Sequence, residues 1–137
     1  MRDFAEIEAE IAALGDGRDP AGADALMSIG EEILERWIAA GGGEPTKAVH
    51  EGFRLLALQR QGARGKPSFN ACRETCRELV YHRNLIALDP GHPNTLLRLK
   101  MASLVAMHLL LFVSGKLEAE GLGEFCCASR PLRAASQ

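Results

Sequence analysis

The run MASLVAMHLLLFVS, residues 101–114, restricts the folds that are open to this chain. Between Met101 and Val113 it is apolar on every side of a helix, and its 14 residues fall short of the about 20 that a membrane-spanning helix needs. A helix that is apolar all round is usually buried, so the run predicts a central helix wrapped by its neighbours. The alternative is a helix that also packs against a second subunit. Neither interpretation predicts a membrane span.

The rest of the chain repeats apolar residues at helical spacing, and no stretch has the alternation of β-branched residues that is typical of strands. We therefore predict a single-domain, all-α bundle of four or five helices with the apolar C-terminal helix at its centre. The predicted helices cover about residues 3–14, 20–40, 44–60, 68–88 and 94–120. The third is expected to carry Val49, Phe53, Leu55 and Leu56. Residues 1–122 are assigned to the bundle and 123–137 to a cysteine-containing tail.

The charge balance excludes one class of partner. With 16 basic and 18 acidic residues the formal net charge is −2, so no positive field attracts nucleic acid. The start of the chain, MRDFAEIEAEIAAL, lacks the basic residues and unbroken apolar core of a secretory signal. We expect a cytoplasmic protein, in which the four cysteines stay reduced.

Two of these cysteines lie four residues apart in CRETCRELVYH, residues 72–82. On a helix, where each residue turns by about 100°, Cys72 and Cys76 fall on the same face as Leu79 and Ile86. The charged residues between them fall on the other side. Both thiols are therefore expected to face the core.

A third polar group is predicted to join them. His108 lies within the apolar stripe Leu97, Met101, Leu104 and Phe112, and antiparallel pairing of the last two helices places it level with the residues between the thiols. Such a buried ring needs a partner. The sequence therefore predicts a metal site with Cys72, Cys76 and His108, completed by Cys126 or Cys127 from the tail, for zinc or another thiophilic metal. The alternatives are inert core thiols and redox thiols.

Basic residues gather before and at the start of the predicted fourth helix: Arg60, Arg64, Lys66, Arg73 and Arg77. Together with the free amides of a helix N-terminus they are suited to a phosphate or an acidic partner. The alternative is a solvated segment whose charges are balanced by Glu74 and Glu78.

No catalytic residues are predicted, because the chain has no acid–base pair at a suitable spacing and no nucleophile with its base. We interpret the protein as a cytoplasmic binding or regulatory module that contacts another protein or a second copy of itself. A homodimer is expected to use Leu99, Ala106, Leu110 and Val113, on the side of the last helix opposite His108. The alternative function is metal binding or thiol redox chemistry at the cysteine cluster.

Overall fold

The computed structural model of the protein describes residues 2–121, and within them it confirms the all-α fold. The described residues form five α-helices, a short 3₁₀-helix and no strand. The α-helices are α1 Phe4–Gly15, α2 Gly22–Ala40, α3 Arg54–Ala63, α4 Arg73–Leu88 and α5 Thr95–Ala119. The 3₁₀-helix Pro67–Cys72 leads directly into α4. The predicted boundary between bundle and tail lies outside the described residues and stays a prediction.

Local signals in the sequence fix the ends of the first two helices. Asp3 caps α1 by accepting from the Glu6 amide at 2.8 Å, and the Asp3 amide donates to the Glu6 carboxylate at 3.3 Å. Before α2, the Asp19 carboxylate accepts from the amide of Ala21 at 3.0 Å. The predicted start signal at Asp19 and Pro20 therefore precedes the helix, which itself begins at Gly22.

The predicted start of the third helix is wrong. Residues 44–53 are not helical, and α3 begins at Arg54. His50 and Phe53 exchange two backbone hydrogen bonds of 3.0 Å, and the residues between them, Glu51 and Gly52, have φ values of 53° and 88°. This two-residue turn with both central residues left-handed cannot be part of an α-helix. Val49, expected on a buried face, is 64% exposed.

The 3₁₀-helix is anchored to α2 and α3 by an aromatic cluster. The rings of Trp37 and Phe69 stack with centroids 4.6 Å apart. The indole N–H of Trp37 donates to the carbonyl of Gly62 at 2.9 Å. A Cβ at Gly62 would lie 2.8 Å from the Trp37 ring and 2.9 Å from the Phe69 ring, so this position of α3 requires glycine.

The long helix α5 packs against α1, α2 and α4, but only on one side. Its buried residues include Leu99, Ala106, Leu110 and Val113, which are at most 2% exposed. The prediction that these residues remain available to a second subunit is therefore wrong. The opposite side, which carries His108, faces outward.

By length and composition α5 is also the one helix in residues 2–121 that is able to cross a membrane. Its best 18-residue window has a mean hydropathy of 1.8, and 44% of that window is buried inside the bundle. The same length and composition are typical of a core helix in a water-soluble protein. The predicted absence of a membrane span stays a prediction.

Candidate functional site

Cys72 and Cys76 form a buried pair of thiols at the junction of the 3₁₀-helix and α4. Cys72 ends the 3₁₀-helix, and Cys76 lies one turn later in α4. Their side chains are 1% and 0% exposed, which confirms that both face the core. The Cys72 S–H group lies 3.2 Å from the carbonyl oxygen of Phe69, to which it donates. The two sulfurs are also hydrogen-bonded to each other.

This hydrogen bond makes the two thiols unequal acids. Donation from Cys76 lowers the pKa of the Cys72 thiol; burial opposes this effect, and a hydrogen bond from Gln59 adds to it. The same bond between the sulfurs, together with burial, raises the pKa of the Cys76 thiol well above its usual range. Cys72 is therefore the thiol that ionises first, with Cys76 as its donor.

The buried position predicted for His108 is wrong, because its side chain is exposed on the outer side of α5. The inward side of this helix is set by Ala102 and Ala106, and two residues along an α-helix turn the side chain by about 200°. His108 therefore points away from the core that holds Cys72 and Cys76.

The described residues supply two thiols and no third metal ligand. No group of three or more His, Cys, Asp or Glu side chains within residues 2–121 is placed to hold a metal ion. Cys126 and Cys127, the tail residues of the predicted site, lie outside the described residues. A site for zinc or another thiophilic metal at the buried thiols therefore stays a prediction, without the ligand that His108 was expected to provide.

The outward side of α5 forms a second candidate site, which we call the exposed face of α5. It consists of Leu97, Met101, Leu104, His108 and Leu111. The four apolar residues are 61%, 43%, 55% and 62% exposed, in chain order. Along all five residues of this face, including His108, the steps alternate between four and three residues, which is the spacing of a coiled-coil seam.

Two features of these sites are not apparent from the sequence-based interpretation. Gln59 is only 3% exposed and contacts Cys72 from α3, which no periodic signal indicates because the contact depends on how two helices pack. The orientation of α5 does have a signal. Ala102, Ser103 and Ala106 are small and lie together on the buried side, where neighbouring helices approach closely.

No protein-family model, curated protein or solved structure matches this chain. The fold and the two candidate sites therefore identify only a structural class, an all-α bundle with a buried pair of thiols and an exposed apolar helix face.

Proposed function

We propose that this protein is a small cytoplasmic binding module that works as a homodimer, with the exposed face of α5 as the contact surface. The observation that carries the proposal is the stripe of Leu97, Met101, Leu104 and Leu111, each 43–62% exposed, which only His108 interrupts. Single exposed apolar residues are normal on protein surfaces, whereas a contiguous apolar stripe is typical of an interaction site.

A second copy is the occupant that best fits this stripe. In an antiparallel pair centred on Leu104, Leu97 of one copy packs on Leu111 of the other, and Met101 lies within one residue of the level of His108. Every leucine then meets a leucine, as in the isologous contact of a two-fold dimer. A parallel pair would place two polar His108 rings against each other inside the contact, away from water.

A second candidate function is thiol redox chemistry or metal binding at Cys72 and Cys76. The observation in its favour is the hydrogen bond that lowers the pKa of the Cys72 thiol. Because the sulfurs are 1% and 0% exposed, an oxidant or metal reaches them only if α4 or the 3₁₀-helix moves. This burial favours the binding module as the first proposal.

Light scattering and sedimentation velocity test the homodimer. The wild type should have twice the chain mass of 14.8 kDa. Leu104→Glu should be monomeric, because two carboxylates would meet at the centre of the contact, away from water. Val49→Glu is the matched control: Val49 is 64% exposed in the segment before α3, so this variant should remain dimeric.

A monomer mass for the wild type at every concentration would overturn the homodimer. Flotation with neutral phosphatidylcholine vesicles tests whether the exposed face of α5 binds a membrane surface instead of a second copy. A wild type that floats with the vesicles, while Leu104→Glu does not, would assign the exposed face of α5 to a membrane surface and contradict the proposal.

A further inference from the structure

A basic cavity lies on another part of the molecule, between α3 and the start of α4. Its volume is about 490 Å³, and four arginines line it: Arg60 of α3, Arg64 directly after α3, and Arg73 and Arg77 of α4. The sequence placed these residues near one another, and the bundle brings them around one opening. Lys66, the fifth member of the predicted cluster, instead donates to Glu120 at 2.6 Å.

The positive charge of this cavity is local and is only partly balanced by its surroundings, where Glu51 pairs with Arg77. The whole chain has a formal net charge of −2, yet the residues that line the cavity include four arginines and no carboxylate. Within residues 2–121, Glu74 and Glu78 form no ion pair with these arginines. The alternative interpretation, in which these two carboxylates balance the cluster, is therefore supported only by the charge interaction between Glu74 and Arg77.

Two of the arginines are held in place and two are free to bind a ligand. Arg77 donates to the Glu51 carboxylate at 3.2 and 3.3 Å, and Arg60 lies 2.8 Å from Nδ1 of His50. Arg64 and Arg73 have no side-chain hydrogen bond or ion pair with any residue of the described part of the chain. Their guanidinium groups therefore have all their donors available.

The cavity also has a floor suited to a small molecule. Leu56 and Ala63 supply apolar contact, and Gln59, which is 3% exposed, lies among the lining residues as a buried polar side chain. Ligand cavities of about 300–1,000 Å³ accommodate small molecules. Guanidinium groups match phosphate oxygens in charge and geometry.

The geometry points to a binding site for a small phosphorylated molecule, with Arg64 and Arg73 as the residues that bind its phosphate oxygens. Arg60 and Arg77 add charge at the rim, and Leu56 contacts the part of the ligand that carries no phosphate. This site is separate from the exposed face of α5, so its failure would leave the homodimer proposal unaffected.

Calorimetry with inorganic pyrophosphate at low salt tests the site. The wild type should bind, and Arg64→Ala/Arg73→Ala should bind at least about tenfold more weakly because two charged donors are lost. Arg18→Ala/Arg98→Ala is the matched control: it removes the same charge at two arginines outside the cavity, and its affinity should equal that of the wild type. Arg73→Lys keeps the charge but loses the planar fork, so its affinity should be intermediate.

Three outcomes would overturn the inference. One is a wild type that does not bind pyrophosphate. Another is an equal loss of affinity in both double variants, which would mean that overall charge alone determines binding. The third is a wild type that sediments with phosphatidylserine vesicles through Arg64 and Arg73 without binding pyrophosphate, which would assign the arginines to a lipid surface. Circular dichroism of each variant shows that it is folded.

Discussion

At the scale of single residues, Cys72 and Cys76 are adjacent yet chemically different. Both are buried in the same core, but the hydrogen bond between them stabilises a thiolate on Cys72 and a neutral thiol on Cys76. The direction of donation decides which sulfur ionises first, and the thiolate is the nucleophilic form. Position one turn apart on a helix is therefore sufficient to give two identical side chains unequal acidity.

We expect Cys76→Ala to raise the pKa of the Cys72 thiol, because the donor that lowers it is removed. The pH at which alkylation of Cys72 is half-maximal should therefore move upward. The free energy of unfolding should also fall by about 1 kcal/mol, from the small cavity left behind. Mass spectrometry measures the alkylation, because Arg73 lies between the thiols and trypsin separates them onto two peptides.

Val80→Ala provides the control for this experiment. It leaves a cavity in the same helix and keeps both sulfurs, so alkylation should become faster without a change in its pH midpoint. An unchanged midpoint in Cys76→Ala would contradict the assigned direction of donation.

At the scale of elements, the turn at His50–Phe53 decides where α3 begins. Its backbone requires two successive left-handed residues, of which Gly52, with φ 88°, is the one that tolerates this conformation without strain. Glu51 also adopts it, with φ 53°, while its carboxylate accepts from Arg77 at 3.2 Å. The turn therefore positions a carboxylate beside the basic cavity as well as ending the non-helical segment before α3.

Gly52→Ala should lower the free energy of unfolding by about 1–2 kcal/mol, the cost of a left-handed conformation with a Cβ. Chemical denaturation measures the loss. Gly91→Ala is the matched control, since Gly91 is also a loop glycine but has no positive φ and open space around it. That variant should be neutral or slightly more stable. Equal stability of the two variants would show that the turn carries no strain.

The bounds of most helices are predictable from the sequence, whereas the starts of α3 and α4 are not: the fourth helix was predicted from about residue 68, and α4 begins at Arg73 after the 3₁₀-helix. Capping residues and glycines are local signals, and α1, α2 and α5 begin and end within about two residues of the predicted positions. The turn at His50–Phe53 was missed because Glu-Gly is not one of the strong two-residue turn signals such as Asn-Gly. The position of the turn is instead supported by contacts between the preceding segment and α3, such as the hydrogen bond of 2.8 Å that the Thr46 amide donates to the Gln61 side chain.

At the scale of the whole molecule, the arrangement depends on which side of α5 faces inward. The sequence predicts the helix correctly, but its two sides are almost equally apolar, so periodicity does not distinguish them. Close packing makes the distinction: a Cβ at Gly15 of α1 would collide with Ser103, so this side of α5 has to be small. The large residues that remain, including Leu104, then face outward.

This orientation separates the candidate sites that the sequence had joined. His108 was predicted as a ligand beside the thiols, and it instead belongs to the exposed face of α5. The buried thiols lie next to the basic cavity, since Gln59 both contacts Cys72 and lines that cavity. Residue types alone do not reveal such relations, because they depend on the packing of α3 against the 3₁₀-helix.

The aromatic cluster gives the protein an intrinsic fluorescence probe of the basic cavity. Trp37 is the one tryptophan of the 137 residues, and it stacks on Phe69 and donates to Gly62. Its ring therefore touches α3 and the 3₁₀-helix, which both contribute residues to the lining of the basic cavity. Pyrophosphate should change the fluorescence of Trp37 in the wild type but not in Arg64→Ala/Arg73→Ala. If calorimetry shows that the wild type binds pyrophosphate while the fluorescence of Trp37 stays constant, the cavity wall is rigid. The protein thus reports the occupancy of its cavity without an attached dye.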